Sequence, residues 1–192
     1  MTIVILAAGA ARRMGKQKLV LPIDGRPMIQ CVLDAAAAWP VVVVTGDEVA
    51  PTLGSTVLRI VRNDAPERGM SHSLALGNAV VANDEPIAVL LGDLPDITAA
   101  SIASVIAAYD DTVDVVVPRC GETFVHPVVF GPRARRKIAA LPDGDTIKRL
   151  RDDASLRRRI VETDRGALTD IDTPGDYTER IGGTGSAVET SP

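Results

Sequence analysis

The sequence has few aromatic residues and few cysteines, and it has no long apolar run. Phe, Tyr and Trp make up 3% of its 192 residues, so a core has to be built from Ala, Val, Leu and Ile. Cys31 and Cys120 lie far apart without the spacing of a metal site, which favours free thiols and a cytoplasmic protein. No apolar run reaches the roughly 18 residues that a bilayer-spanning helix needs, and no signal-peptide pattern is visible. We therefore expect no contact with a membrane.

Charge and length set further limits on what the chain can do. The formal net charge is −4, whereas general nucleic-acid binding favours a basic surface, so we expect no nucleic-acid partner. A chain of 192 residues can form one domain with a substantial core. We expect residues 2–181 to form a single domain, and the Gly/Ser-rich end, residues 182–192, to be disordered.

Short apolar runs alternate with segments of helical spacing along the chain. The apolar runs predict strands at Thr2–Leu6, Val41–Thr45, Val57–Val61, Ile87–Leu91 and Val113–Pro118, with a later one at Val128–Phe130. The helical segments are Met28–Ala38, Ser71–Val81 and Ala99–Tyr109, followed by weaker ones near Pro132–Ala140 and Asp145–Asp153. This alternation predicts a Rossmann-like three-layer αβα sandwich with a mostly parallel sheet, whose ligands bind beyond the carboxyl ends of the strands.

The loop after the first predicted strand has the composition of a phosphate-binding loop. It reads LAAGAARRMGKQK from Leu6 to Lys18. Small residues such as Ala8 and Gly9 let backbone N–H groups approach phosphate oxygens, and Arg13 and Lys18 are among its four basic residues. The loop has neither Walker A spacing nor a GxGxxG fingerprint, which disfavours a dinucleotide-binding oxidoreductase. A solvated basic turn is the alternative to a triphosphate site.

A second chemical feature follows the apolar strand at Ile87–Leu91, where the sequence reads LLGDLPD. Asp93 stands at the carboxyl end of this strand, where its carboxylate can hold Mg²⁺ beside phosphate oxygens. A strand-ending turn is the alternative, because Asp-x-Pro is common turn chemistry. Asp96 precedes a predicted helix, and an N-cap there explains it adequately.

The third feature is DIDTPGDY, which begins at Asp170. Asp170 and Asp172 share one face of an extended segment, so either of them could complete the metal site. The alternative is that Asp172 or Thr173 caps a helix that begins at Pro174. We favour Asp170 as the metal ligand, because Asp172 has this competing role.

The ordered set of motifs resembles a known family. The string LAAGxxxRMGxxK, followed by LPIDGRPMI, NDAPERGMSHSLALG, LLGDLPDI, FVHPVVF and DIDTPGDY, is similar to the molybdenum cofactor cytidylyltransferases, which are MobA-like NTP transferases of the MocA type. The resemblance covers residues 2–181. The sequence LAAG, rather than LAGG, resembles the CTP-using enzymes more than the GTP-using guanylyltransferases.

The resemblance implies a fold of the nucleotide-diphospho-sugar transferase type and a Mg²⁺-dependent transfer of CMP from CTP. The acceptor would be molybdopterin that carries molybdenum, and an apo-molybdoenzyme or its chaperone would receive the product. Asp93 would bind the metal, and Arg13 and Lys18 would stabilise charge on the α-phosphate and on the leaving pyrophosphate. The nucleotide would be held by Leu6, Ala7, Ala8, Gly9, Arg13, Lys18, Gly69, Ser73 and Asp93, and His126 would lie on the substrate side. A packed, hydrogen-bonded histidine is the alternative for His126.

Three positions depart from the family pattern, and all lie toward the acceptor. Leu94 stands where glutamine is frequent, Val125 stands where the cytidylyltransferases tend to have glycine, and residues 144–150 match only loosely. The same chemistry on another phosphorylated acceptor is therefore an alternative. A GTP-dependent guanylyltransferase is another, because the preference for CTP depends mainly on the single residue Ala8. A non-catalytic nucleotide-binding chaperone for molybdoenzyme maturation is a further alternative.

Overall fold

The computed structural model describes residues 1–9, 17–53, 59–168 and 170–183 of the chain. Within these ranges an eight-stranded sheet forms the centre of the molecule. Its order across the sheet is β5 (Arg59–Arg62), β4 (Val41–Thr45), β1 (Thr2–Ala7), β6 (Ile87–Leu91), β9 (Val128–Phe130), β7 (Val115–Cys120) and β10 (Arg158–Glu162), with β8 (Thr123–Phe124) paired to β7. A separate hairpin joins β2 (Pro22–Ile23) and β3 (Arg26–Pro27).

Most pairs of neighbouring strands run parallel, as the alternating pattern predicts. β1 is parallel to both β4 and β6, β4 to β5, and β7 to β10. β9 is antiparallel to β6 and β7. Its reversal brings the residues just before Val128 to the edge of the sheet where β6 ends.

Helices cover both faces of the sheet, which confirms the three-layer sandwich. Along β1, Ile3 and Ile5 pack into the cluster that contains α1 and α3, whereas Val4 and Leu6 pack into the cluster that contains α2, α4 and α5. The helices are α1 (Met28–Ala35), α2 (Met70–Ala79), α3 (Ala99–Ala107), α4 (Pro132–Arg135), α5 (Ile147–Arg151) and α6 (Pro174–Gly183). Because alternate side chains of a strand point to opposite faces, a run of consecutive apolar residues fills both layers.

Several element boundaries differ from the expectation. The helical segment expected near Pro132–Ala140 is divided into α4 and a 3₁₀ turn at Ile138–Ala140. α6 extends to Gly183, two residues past the expected end of the domain, and residues 184–192 lie outside the described part.

Among the described helices, none is both long and apolar enough to cross a lipid bilayer. Both cysteines are free and half-buried.

The side chain of Arg135 fastens the end of α2 to α4. It is 3% exposed, and its guanidinium donates to the backbone carbonyls of Asn78, Val81, Ala82 and Glu85. It also donates to the side chain of Asn78 at 2.7 Å. The carbonyl groups that a helix leaves unpaired at its carboxyl end are thereby satisfied.

Replacing Arg135 with methionine should lower the free energy of unfolding by about 3 kcal/mol, because buried carbonyls then lose their donors. Urea unfolding followed by circular dichroism measures the change. The matched control is Arg136→Met, since Arg136 is the exposed neighbour and its loss should cost less than about 0.5 kcal/mol. Equal effects of the two substitutions would contradict the role assigned to Arg135.

Candidate active site

A cleft of about 280 Å³ opens at the carboxyl ends of β1 and β6. These strands are neighbours, and the chain continues from them to opposite halves of the sheet; ligands of open α/β sheets bind at such a switch point. All the predicted nucleotide-binding residues within the described ranges line this cleft, namely Leu6, Ala7, Ala8, Gly9, Lys18, Gly69, Ser73 and Asp93. Arg13 lies outside the described residues.

The ammonium group of Lys18 is held between two carboxylates. Its Nζ lies 2.8 Å from Oδ2 of Asp93 and 2.6 Å from Oδ1 of Asp172, and its side chain is 13% exposed. Burial alone lowers the pKa of Lys18, but the charges and hydrogen bonds of Asp93 and Asp172 outweigh it and raise the pKa above its usual value. Lys18 is therefore a fixed positive charge on the wall of the cleft.

The second carboxylate oxygen of Asp93 suits a cation. Oδ1 of Asp93 is buried and has no hydrogen-bond partner among the described residues. A buried carboxylate oxygen without a partner is costly. No three His, Cys, Asp or Glu side chains in the described ranges already form a metal cage. The carboxylate of Asp93 alone is compatible with Mg²⁺, because Mg²⁺ binds through one or two carboxylates and completes its coordination with phosphate oxygens and water.

Asp170 adds to the negative charge beside Asp93. Burial raises the pKa of Asp170 above its usual value, and the carboxylates of Asp172 and Asp93 raise it further. The late aspartates therefore lie near the carboxyl end of β6, where a cation would relieve their mutual repulsion. Asp170 does not line the cleft that contains Asp93; it lines a neighbouring cavity with Arg180. Both residues offer oxygen ligands, which hard cations such as Mg²⁺ prefer.

The structure shows which residues cap α6 and α3, the two helices near the site. α6 begins at Pro174 as predicted; Thr173 Oγ1 accepts a hydrogen bond from the N–H of Asp176 and is the capping side chain. Asp172 instead contacts Lys18. The N-cap assignment of Asp96 is wrong, because the hydroxyl of Thr98 accepts from the N–H of Ser101 at the start of α3.

Gly69 and Ser73 form one wall of the cleft. Gly69 has a φ of +87°, and a Cβ there would lie 2.9 Å from the Cα of Gly144, so a side chain cannot be accommodated without moving the neighbouring loop. Ser73 is 7% exposed and accepts a hydrogen bond from Asn63 at 2.9 Å, which leaves its hydroxyl proton for another acceptor. Ser71 donates to the carbonyl of Pro142 at 2.8 Å, so it braces the same loop and does not cap α2.

His126 lies at the same edge of the sheet, just before the reversed strand β9. Its Nδ1 is 3.1 Å from the carbonyl oxygen of Val89, an acceptor, so Nδ1 carries the proton and Nε2 accepts. Burial lowers the pKa of His126, and the carboxylate of Asp93 opposes this shift. His126 does not line the cleft described above; its ring lies at the same edge of the sheet, against the carbonyl group of Val89 in β6.

Several residues of the cleft were not predicted from the sequence. Each of them is adjacent or nearly adjacent in the chain to a predicted residue, so extending the predicted segments would have found them. They are Gln17, Leu19, Pro66, Met70, Leu91 and Gly92.

Comparison with known proteins identifies the family. The profile described as "MobA-like NTP transferase domain" matches residues 3–162. The purine catabolism protein PucB of Bacillus subtilis is 29% identical over 192 residues, which cover 91% of this chain and 92% of PucB. The bifunctional protein GlmU of Cupriavidus taiwanensis is 34% identical over 114 residues, 56% of this chain. That match spans about a quarter, 25%, of the length of GlmU.

Solved structures agree with the fold. A homologue of Rv0371c from Mycobacterium sp. strain JC1 is 29% identical, with a TM-score of 0.83 and 95% of each chain covered. A nucleotidyl transferase from Methanothermobacter thermautotroptrophicus is 27% identical, with a TM-score of 0.80 and coverage of 95% of this chain and 96% of its own.

Two further structures, both less than 25% identical, show the fold alone. Molybdopterin-guanine dinucleotide biosynthesis protein A of Archaeoglobus fulgidus has a TM-score of 0.74 at 16% identity, with coverage of 96% of this chain and 99% of its own. Rv0371c of Mycobacterium tuberculosis, in complex with manganese, has a TM-score of 0.78 at 23% identity, with coverage of 94% and 97%. Since the family profile matches most of its length, the chain belongs to the MobA-like NTP transferase family and is a nucleotidyltransferase.

Proposed function

We propose that the protein transfers CMP from CTP to the phosphate of molybdopterin that carries molybdenum. An oxygen of the acceptor phosphate forms a bond to the α-phosphorus of CTP, and the bond from that phosphorus to pyrophosphate breaks. The products are molybdopterin cytosine dinucleotide and pyrophosphate. An apo-molybdoenzyme, or its chaperone, would then receive the dinucleotide.

One observation carries this proposal: the buried ammonium of Lys18 lines the same cleft as residues 6–9 and as Asp93, whose Oδ1 has no hydrogen-bond partner in the described part of the chain. Transfer of a nucleotidyl group needs little covalent participation by the protein, so positioning and charge neutralisation supply most of the rate. A cleft with a fixed cation, a free carboxylate oxygen and a stretch of small residues offers the groups that a triphosphate and its metal require.

The chain's own residues have distinct parts in the proposed reaction. The amides near Ala8 and Gly9 hold the triphosphate, and Lys18 stabilises the negative charge that develops on pyrophosphate as it leaves. Arg13 is proposed to add positive charge from the same loop. The hydroxyl of Ser73 donates to the nucleotide. His126 accepts a hydrogen bond from the acceptor through Nε2.

Asp93, together with Asp170, would hold Mg²⁺, which when bound polarises the α-phosphate. The structure of Rv0371c in complex with manganese supports the use of a divalent cation. The oxygen-only donor set of Asp93 and Asp170 favours Mg²⁺ or Mn²⁺ over softer metals.

The choice of CTP and of molybdopterin rests on sequence. Ala8 is 7% exposed and lines the cleft; its methyl group occupies space that a glycine in LAGG would leave open to a larger purine base. The name of the Archaeoglobus protein supports a molybdopterin acceptor.

Thermal shift with CTP, GTP, ATP and UTP, each with and without Mg²⁺, tests the proposal. With every nucleotide at one concentration, one hundred times the Kd of CTP with Mg²⁺, we expect CTP with Mg²⁺ to raise Tm by about 5–10 °C and the other nucleotides to raise it less. The matched variant is Ala8→Gly, in which the preference for CTP over GTP should decrease.

Pyrophosphate release with molybdopterin as acceptor then separates the alternatives. A larger shift with GTP would assign the protein to the guanylyltransferases. Turnover with a sugar phosphate, but not with molybdopterin, would change the acceptor. Nucleotide binding without pyrophosphate release on any acceptor would overturn the enzymatic proposal and favour a maturation chaperone.

A further inference from the structure

Helix α6 follows the segment that carries Asp170 and Asp172, and it is held against the rest of the molecule largely by polar contacts. The hydroxyl of Tyr177 donates to the carbonyl of Pro22 at 2.8 Å. Nε of Arg180 donates to Oδ1 of Asp96 at 2.9 Å, and its Nη2 lies 3.5 Å from Oδ2 of Asp24. Where α6 lies therefore depends on these contacts.

The ion pair between Arg180 and Asp96 is partly shielded from water. The side chain of Arg180 is 21% exposed and that of Asp96 is 28% exposed, so the pair is screened less than a surface ion pair. The backbone of Asp96 is itself tightly packed, since a Cβ at Gly166 would lie 2.3 Å from the carbonyl oxygen of Asp96. Arg180 is thus attached to a point that cannot easily move.

Asp96 belongs to the same loop as Asp93, three positions further along the chain. A second contact joins this loop to the late aspartates, because the N–H of Ile171 donates to the carbonyl of Asp93 at 3.3 Å. The N–H groups of Asp172 and Thr173 donate to Oδ2 of Asp176 at 3.0 and 2.7 Å. The backbone of the aspartate segment is therefore fixed on one side by Asp93 and on the other by the first turn of α6.

Electrostatic repulsion acts against this arrangement. Asp93 lies on one segment and Asp170 and Asp172 on another, and like charges at short distance repel each other strongly where water is excluded. Lys18 offsets Asp93 and Asp172, but Asp170 adds a third negative charge. Contacts outside the carboxylates therefore help to keep the two segments together before a cation is bound.

We infer that Arg180 is a positioning residue of the nucleotidyl-transfer site, which holds Asp170 and Asp172 against Asp93 by way of Asp96. The inference rests on the proposed metal role of Asp93 and Asp170. Arg180 itself does not line the nucleotide cleft, so its loss should weaken metal binding while nucleotide binding in the absence of metal is preserved.

The test compares Arg180→Met and Asp96→Asn with the wild-type full chain. Mn²⁺ binding, alone and with CTP, is measured from the electron paramagnetic resonance signal of free Mn²⁺. We expect each variant to weaken Mn²⁺ binding by about 10- to 100-fold, the usual effect of removing a residue that orients a metal ligand. Metal-free CTP binding should stay within about threefold of wild type.

Three further variants distinguish positioning from general destabilisation. Arg180→Lys keeps the charge and should restore part of the Mn²⁺ affinity. In the double variant of Arg180→Met with Asp96→Asn, the loss should be smaller than the sum of the single losses, because both remove one interaction. Arg159→Met removes an arginine paired with Asp110 at 2.8 Å, near the opposite edge of the sheet, and should leave Mn²⁺ binding unchanged.

Hydrogen exchange provides a readout that does not depend on metal binding. In Arg180→Met the amide of Ile171 should exchange at least about tenfold faster, while the amides of β1 stay protected. Unchanged exchange together with unchanged Mn²⁺ affinity would overturn the inference, as would an equal loss of Mn²⁺ and CTP binding. If wild type binds no Mn²⁺ with or without CTP, the proposed metal site fails, and the exchange of Ile171 alone decides whether Arg180 positions the segment.

Discussion

Asp93→Asn should lower turnover by about 10³-fold or more, since it removes a carboxylate that would bind metal and stabilise charge in the transition state. Asparagine has nearly the same shape, and the backbone carbonyl of Asp93 that accepts from Ile171 is retained. The fold should therefore survive, as far-UV circular dichroism would show. Pyrophosphate release at saturating CTP, Mg²⁺ and acceptor measures the loss.

The matched control is Asp110→Asn. Asp110 also pairs with an arginine, Arg159, at 2.8 Å, but it precedes β7 and lies at the opposite edge of the sheet from the cleft. Turnover of this variant should equal that of wild type. If Asp93→Asn retains more than about a tenth of wild-type turnover, Asp93 is not the residue that neutralises charge in the reaction.

Lys18→Met should lower turnover by about 10²-fold or more, the scale for loss of one electrostatic stabiliser. The loss should fall on kcat more than on KM, because Lys18 is proposed to act on the charge that develops as pyrophosphate leaves. Steady-state kinetics with varied CTP separates the two constants.

Lys137→Met serves as the control for Lys18, since Lys137 is also paired with an aspartate, Asp153, at 2.7 Å and does not line the cleft. It should behave as wild type. An unchanged kcat in Lys18→Met would mean that the ammonium serves only to hold Asp93 and Asp172 in the resting protein.

The centre of the sheet could be predicted closely from the sequence. The bounds of β4 and β6 agree with the predicted strands, and β1 is one residue longer. These strands are buried on both faces, so their apolar runs are unbroken and end where burial ends. β7 begins at Val115 instead of Val113 because Asp114, 3% exposed, accepts hydrogen bonds from Arg157 and ends the preceding turn.

The short strands could not be predicted by the same means. β2 and β3 have two residues each, which is too few to show an alternating pattern. Their turn is formed by Asp24 and Gly25, with φ values of 49° and 80°. An Asp-Gly pair favours such turns. The turn residues therefore indicate this hairpin, whereas the apolar pattern of the flanking residues does not.

The candidate site likewise contains some contacts that the sequence predicts and others that it does not. Residues 6–9, Lys18 and Asp93 follow adjacent strands or belong to one loop, and the rule for parallel sheets predicts that they meet. The pair of Lys18 with Asp172 joins residues 154 positions apart, and that of Arg180 with Asp96 joins residues 84 apart. Such contacts depend on where α6 packs, and no periodicity in the sequence encodes that. The roles of all the candidate site residues, including Arg13, Lys18, Asp93, Asp170 and His126, stay predictions.

The position of Lys18 between two carboxylates also makes cation and anion binding interdependent. A cation held at Oδ1 of Asp93 would lie close to the ammonium of Lys18, which pairs with Oδ2 of the same carboxylate, and the two positive charges would repel each other. A triphosphate that attracts Lys18 would offset this repulsion and strengthen cation binding. Thermodynamic reciprocity then requires the cation to strengthen triphosphate binding by the same factor. We therefore expect the site to bind the metal–nucleotide complex more tightly than it binds either the metal or the nucleotide alone.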